Sequence, residues 1–322
     1  MTLKQTVDEI SAKPILAAAR INALDVIRGI ALLGILLMNI NGMGLPFSYS
    51  DPTIAGGADG LNLQVWIVNN MLFEGTMRGL FTLLFGAGVI LLTDRLEKNG
   101  IGITTADIYY RRILWLLLFG IINVYVFLWD GDILYPYAIF ALMLFPFRNA
   151  QVKTLIVLSS ILITLGVLWD VSDYHSKLSL QNEVALFNEI KNQGIELTKK
   201  QTESIDEWEK FKTKKTSVEV NEQIDKMHQG YFAVMMEKVK GNQFMQTWLP
   251  YRLWVWDILS FMLLGMAFFK LKIFHAKKSN KFYIMLLGIG YAIGLLINYY
   301  ETKLLVANSF DALAILKADQ TY

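Results

Sequence analysis

The fold is decided by residues 111–132, which read RRILWLLLFGIINVYVFLWDGD. The stretch is an apolar run of membrane-spanning length, because about 20 apolar helical residues cross the roughly 30 Å hydrocarbon core of a bilayer. Two arginines stand at one end, the amide of Asn123 lies midway, and Asp130 and Asp132 stand at the other end. Polar and charged groups are costly inside a membrane and therefore indicate function. The stretch predicts a transmembrane helix with a functional polar face.

The rest of the chain repeats this apolar character. Of its 322 residues 54% are hydrophobic and only 18% are charged, which is too apolar for an average soluble domain. The predicted fold is all-α, a polytopic transmembrane helix bundle of about seven spans. Gly75 predicts a break in the second run, which is too long for one straight crossing. The seven runs are 23–45, 62–93, 108–129, 132–147, 152–170, 251–270 and 281–300.

Residue types that would support metal or redox chemistry are scarce. The sequence has no cysteine, which excludes disulfides, thiolate nucleophiles and zinc–thiolate sites. Its three histidines, His175, His228 and His275, lie outside the apolar runs. We therefore expect no metal site and no permanently bound cofactor. Membrane lipids are the expected partners, and no nucleic acid is expected.

Lysine and arginine distribution predicts the orientation. The short loops 46–61, 130–132 and 301–303 contain only Lys303, whereas the opposite connections are rich in basic residues. Basic connections stay in the cytosol, so the N-terminus is predicted there. The expected domains are a cytosolic juxtamembrane segment at 1–22, a five-span bundle at 23–170, an extracytoplasmic polar insertion at 171–250 and C-terminal spans at 251–322. Helical spacing of apolar residues predicts two or three amphipathic helices in the insertion, and a solvated spacer is the alternative.

Three spans carry charges on a helical face. In the first span Asp25, Arg28 and Asn39 share one face, and the first two, three residues apart, can form an ion pair. In the second span Glu74 and Arg78 have the i, i+4 spacing of an ion pair, which would be either structural or part of a substrate site.

The third span has the same organisation, since Arg112, Asn123 and Asp130 share one face. Arg111 and Arg112 can grip phosphate groups with paired hydrogen bonds. The alternative is that both arginines only anchor the cytosolic end of the span.

Three motifs resemble the YeiB family, bacterial membrane proteins with domain of unknown function 418. They are LDVIRGIALLGIL at 24–36 followed by Asn39, LFTLLFGAG at 80–88 and WDGDIL at 129–134. The similarity covers about residues 20–300 and implies a multi-pass protein of the bacterial cytoplasmic (inner) membrane. The chain departs from the family with Asn123 in place of the usual His and Thr76 in place of the usual Lys. It also lacks a later Gly-Arg-Met segment, so it is expected to be short at its C-terminus.

The YeiB family is in turn distantly similar to membrane acyltransferases such as heparan-α-glucosaminide N-acetyltransferase. This implies acyl-CoA as a co-substrate on the cytosolic side and a glycan or lipid acceptor outside the cytoplasm. The residues that would hold acyl-CoA are Asp25, Arg28, Arg78, Arg111 and Arg112. The residues that would donate hydrogen bonds to the thioester or act as general base are Asn39, Asn123, Asp130, Asp132 and Glu74.

Two other functions fit the same residues. A transporter or lipid-handling protein would line a path with its buried charge network, although no internal repeat of the kind found in many transporters is visible. A non-catalytic membrane scaffold would fit the Asn123 departure. The sequence leaves the oligomeric state open.

Overall fold

The computed structural model describes residues 20–45, 47, 51–100 and 102–321. The predicted juxtamembrane segment at 1–22 therefore lies almost wholly outside the described residues. The described chain is helical and contains no β-strand, so the all-α prediction is confirmed. The helices are α1 Asn22–Gly44, α2 Gly60–Leu72, α3 Thr76–Lys98, α4 Thr104–Tyr125, α5 Leu134–Leu144, α6 Val152–Asn192, α7 Lys199–Lys212, α8 Ser217–Met227, α9 Tyr231–Thr247, α10 Val255–Lys270, α11 Asn280–Ala307 and α12 Ala312–Ala318.

Six helical stretches of the described chain, and not seven, are long and apolar enough to cross a membrane. The difference is the run at 132–147, which forms the 11-residue helix α5. At 1.5 Å per residue this helix is only about 16 Å long. Pro146 lies in the 3₁₀ turn that follows, Phe145–Asn149, and proline cannot extend an α-helical hydrogen-bond ladder. The six stretches are Asn22–Ile40, Gly60–Lys98, Thr104–Tyr125, Val152–Asn192, Tyr231–Lys270 and Asn280–Ala307.

The predicted break in the second run is present. Helix α2 ends at Leu72 and α3 begins at Thr76. Gly75, between them, has a φ of 67°, a left-handed conformation that glycine adopts without the steric cost of a side chain. The break therefore follows directly from the local sequence.

The polar segment after the fifth apolar run is helical as well. Helix α6 continues for 41 residues, from its apolar part to Asn192. Helices α7 and α8 each begin with a capping box, formed by Thr198 with Gln201 and by Thr216 with Glu219. Such reciprocal hydrogen bonds satisfy backbone N–H groups that a helix N-terminus leaves unpaired. The segment is thus ordered by its own local sequence.

The chain forms two compact units. The first comprises residues 20–35, 76–163 and 229–284 of the described chain. Its centre is the close contact of α3 with α10. A Cβ atom added to Gly86 would lie 1.9 Å from the Met262 carbonyl oxygen, and one added to Gly265 would lie 2.0 Å from that of Leu83. Small residues at facing positions let two membrane helices approach to backbone contact.

The second unit comprises residues 36–75, 164–228 and 285–321 of the described chain. Within it, amide side chains connect α2 to α11: the Asn70 Nδ2 atom donates to Glu301 at 3.3 Å and to Thr302 at 3.0 Å. Asn298 donates to the Met71 carbonyl oxygen at 2.9 Å. Hydrogen bonds between apolar helices satisfy polar side chains that hydrocarbon would leave unpaired.

Candidate functional site

The chain leaves α4 at Tyr125 and returns through a short turn into α5. The Asn123 amide donates from Nδ2 to Asp132 Oδ1 at 2.8 Å, and the Tyr135 backbone N–H donates to Asp132 Oδ2 at 2.8 Å. The Asp132 carboxylate thus joins the end of α4 to the first turn of α5, where a carboxylate is favoured by the helix dipole. Asp132 is only 5% exposed. The structure thus brings together Asn123 and Asp132, two of the residues predicted for the site, and their catalytic role stays a prediction.

Burial governs the acid–base behaviour of Asp132. Removal from water raises the pKa of this carboxyl, and the hydrogen bonds from Asn123 and from the Tyr135 and Leu134 backbone lower it by a smaller amount. A carboxylate with a raised pKa is a stronger base than an exposed aspartate. Asp132 therefore combines a fixed position with the capacity to accept a proton.

Asp130 is placed differently from its prediction. The prediction that Asp130 lies on the helical face of Asn123 is wrong, because α4 ends at Tyr125. The side chain of Asp130 is 52% exposed and lies 3.4 Å from the Lys238 ammonium. Of the two carboxylates at this end of α4, only Asp132 contacts Asn123 among the described residues.

Helix α9 supplies donors to this end of α4 that sequence reasoning missed. The Asn242 Nδ2 atom donates to the Val124 carbonyl oxygen at 3.0 Å, and Lys238 Nζ donates to that of Leu128 at 3.2 Å. The Tyr231 hydroxyl donates to the Val126 carbonyl oxygen at 2.8 Å. Carbonyls at a helix C-terminus have no partner within the helix. Local sequence patterns carry no signal for these contacts, because the paired residues are 105 to 118 positions apart in the chain.

The partner of Arg78 is a second residue that sequence reasoning missed. Arg78 of α3 forms an ion pair with Asp257 of α10, and about a third of each side chain is exposed. The Thr82 hydroxyl donates to the Arg78 carbonyl oxygen and also contacts the Tyr137 hydroxyl. The signal was available, because Asp257 stands inside an apolar run. The pairing of Arg78 with Glu74 stays a prediction.

The remaining predicted residues lie elsewhere. Arg28 and Asp25 form the predicted ion pair at 3.3 Å, with 43% and 54% of their side chains exposed. Arg111 and Arg112 are exposed on α4, eleven or more residues before Asn123. Asn39 and Glu74 are half-buried and belong to the second compact unit, whereas Asn123 and Asp132 belong to the first.

Comparison with known proteins found that this chain is similar to uncharacterized bacterial proteins. The chain is 35% identical to YxaH of Bacillus subtilis over 156 residues, which is 46% of this chain and 37% of YxaH. It is 36% identical to YeiB of Escherichia coli over 121 residues, 37% of this chain and 29% of YeiB. A 39.9 kDa protein of Bacillus acidopullulyticus is 34% identical over 142 residues, 43% of this chain and 37% of that protein.

The matched part thus spans only about a third of the length of these relatives. No protein-family model and no solved structure matches the chain. Both YxaH and YeiB are described as uncharacterized proteins, so similarity to them assigns no activity to this chain. Together with the six apolar helices, it supports an integral membrane protein that is similar to YeiB.

Proposed function

We propose that this chain is a YeiB-type acyltransferase of the bacterial cytoplasmic membrane. It would pass an acyl group from cytosolic acyl-CoA to a glycan or lipid acceptor outside the cytoplasm. The observation that carries the proposal is the buried Asp132 carboxylate, held by Asn123 and by the Tyr135 backbone N–H. A buried carboxylate with a raised pKa in a fixed position is what general base catalysis needs.

In the proposed step Asp132 takes the proton from an acceptor hydroxyl or amine as its oxygen or nitrogen attacks the thioester carbon. The carbon–sulfur bond then breaks, and the acyl group stays on the acceptor. The leaving CoA thiolate takes up the proton from Asp132. The base is regenerated in each cycle, so no further reactant is consumed.

Arg111 and Arg112 are proposed to bind the phosphates of acyl-CoA. Both are exposed, and guanidinium groups bind phosphate oxygens in pairs. Along α4, Arg112 and Asn123 are separated by about 16 Å at 1.5 Å per residue. The pantetheine arm of acyl-CoA would therefore have to extend along α4 to bring its thioester to Asp132.

Thermal unfolding of the detergent-purified protein tests this proposal. We expect acyl-CoA to raise the unfolding midpoint, and Arg111→Gln with Arg112→Gln to remove this shift while leaving expression unchanged. Replacing Lys277 and Lys278, two exposed basic residues of another connection, by Gln is the matched control. Equal loss in both double variants would show nonspecific attraction of an anion. Failed membrane insertion of the arginine variant would identify the arginines as topology anchors.

The proposed orientation has a separate test, because the chain contains no native cysteine. Ser204→Cys in α7 should react with a membrane-impermeant maleimide in intact cells, and Lys277→Cys should react only after the cells are opened. The reverse pattern would invert the proposed topology and place the proposed acyl-CoA site outside the cytoplasm, away from cytosolic acyl-CoA.

The Arg78–Asp257 ion pair favours a second candidate function, transport of a charged solute. Charges within membrane helices commonly line a substrate or proton path. Asp257→Asn would remove the ion pair between Arg78 and Asp257. A transporter should then lose uptake of its solute, whereas an acyltransferase with intact Asp132 should keep acyl transfer in detergent, where no gradient exists.

A further inference from the structure

One buried amide of the first compact unit has an unused donor. Gln246 of α9 is 7% exposed, and its Nε2 atom has no hydrogen-bond partner within the described chain. Buried polar groups are nearly always paired, because an unpaired donor loses its hydrogen bonds to water without replacement. An unpaired buried donor therefore needs an explanation, and a ligand that accepts the hydrogen bond is one.

The register of α9 against α4 indicates where Gln246 lies. Lys238 donates to the carbonyl oxygen of residue 128 and Asn242 to that of residue 124. Leu128 lies after the end of α4, so Asn242 is the contact of these two that places α9 against the helix itself. Gln246 follows Asn242 by four residues, so it lies on the same face of α9, about one helical turn beyond the contact with Val124.

Gly120 and Tyr135 lie close together beside the Asn123–Asp132 pair. A Cβ atom on Gly120 would lie 2.5 Å from the Tyr135 backbone nitrogen, the N–H that donates to Asp132. The Tyr135 side chain lies near that of Tyr251, five residues after Gln246. Tyr251 belongs to the π-helical turn Pro250–Trp254, and such turns occur frequently at functional sites.

We infer that Gln246 donates a hydrogen bond from Nε2 to the thioester carbonyl oxygen of bound acyl-CoA, next to the Asn123–Asp132 pair. The inference rests on the proposed acyltransferase function and assigns it a further positioning residue. Asn123 and Asn39 are the residues that the sequence predicts for this role. The Asn123 amide, however, already donates to Asp132.

The chemistry of the amide favours a carbonyl over a phosphate as its partner. A neutral N–H group can bind a neutral carbonyl without bringing net charge into an apolar interior. A phosphate at the same place would carry charge into that interior and would need a cationic partner. A donor aimed at the thioester oxygen also stabilises the negative charge that develops there during acyl transfer.

The test compares each acyl-CoA with the thioether that lacks its carbonyl group. The probes are acetyl-CoA against S-ethyl-CoA and octanoyl-CoA against S-octyl-CoA, measured as dissociation constants from the shift in unfolding midpoint of the full chain. The unmodified chain should prefer the acyl form by roughly 3- to 10-fold, the net effect of one hydrogen bond. Gln246→Met, which keeps the length of the side chain, should bind both forms equally. Gln243→Met, at an exposed position of the same helix, should keep the preference.

Every outcome decides the inference. Equal binding of both forms by the unmodified chain, or a preference that survives Gln246→Met, overturns the role of Gln246 and leaves the acyl-CoA proposal standing. Absence of binding by all four probes overturns the proposed function and the inference with it. The unliganded Gln246→Met protein should unfold no earlier than the unmodified chain. A lower midpoint or a failure to fold would identify Gln246 as a structural residue and reject the inference.

Discussion

The two ends of α4 hold their polar groups in opposite ways. At the basic end, Arg111 and Arg112 are exposed, so water and salt screen their charges. At the carboxylate end, Asp132 is buried and accepts hydrogen bonds from Asn123 and the Tyr135 backbone. An exposed arginine attracts many anions in many geometries, whereas a buried and hydrogen-bonded carboxylate keeps one geometry. The basic end is therefore suited to binding, and the carboxylate end to chemistry.

The strongest test of this comparison separates the two carboxylates. Asp132→Asn removes the proposed base and should lower acyl transfer by about 10²–10⁴-fold, the usual contribution of a general base. Asp130→Asn, at the exposed partner of Lys238, should change the rate little. The measurement is release of free CoA thiol by the purified protein. Equal rates in the two variants would move the base away from Asp132.

The pH profile sharpens the same test. Because burial raises the pKa of Asp132, the rate should fall as the pH drops through that raised pKa and the carboxylate gains a proton. The effect of pH on stability has the opposite direction to its effect on the rate. The folded state binds this proton more tightly than the unfolded state, so the contribution of Asp132 to stability is largest at low pH and is lost as the pH rises. A rate that stays flat below neutral pH would contradict the assignment.

Asn123→His is expected to have the next largest effect. A histidine can donate one N–H to Asp132 and accept a proton on its other ring nitrogen, which an amide cannot do. The rate should rise by about 10-fold or more, part of the 10²–10⁴-fold range of acid–base catalysis. The matched control is Asn123→Gln, which should not raise it. An unchanged rate in the histidine variant would show that the imidazole is not needed in this chain.

Gly120→Val tests the contact between α4 and α5 that supports the carboxylate end. The added Cβ atom would meet the Tyr135 backbone at 2.5 Å, so the two helices must separate. Overpacking of this kind costs about 1–3 kcal/mol, measured as a lower unfolding midpoint. Gly29→Ala is the control, since a Cβ atom there meets nothing within 4 Å. If both variants had the same unfolding midpoint as the unmodified chain, the close approach of α4 and α5 at Gly120 would be wrong.

The smallest effect is expected at an exposed ion pair. Asp25 and Arg28 are both about half exposed, and exposed pairs contribute about 0–1 kcal/mol. Arg28→Gln should therefore change the unfolding midpoint only slightly, with no further change on addition of salt. A loss as large as that of Gly120→Val would show that Arg28 has a structural role that its exposure does not suggest.

Local features of the molecule were predictable from the sequence. The apolar runs predict the long helices, Gly75 predicts the break between α2 and α3, and the i, i+3 spacing predicts the Asp25–Arg28 pair. Each depends on residues within a few positions of one another. The run at 132–147 lies outside the six long helices for a local reason as well, because its α-helix ends at Leu144, just before Pro146.

Contacts between distant segments were not predictable in this way. Arg78 pairs with Asp257, 179 residues later, and Asn242 donates to Val124, 118 residues earlier. Helical periodicity says which face of a helix is polar, but it does not say which other helix meets that face.

By itself, the sequence determined that this protein is a helical membrane protein with polar groups at both ends of α4, because a long apolar helix satisfies its own backbone hydrogen bonds in hydrocarbon. Only the tertiary structure decided that Asp132 and not Asp130 meets Asn123, and that Gln246 is buried with an unused donor. These outcomes depend on where α4 ends and on how α9 packs against it. Both are set by hydrogen bonds and packing between segments far apart in the chain.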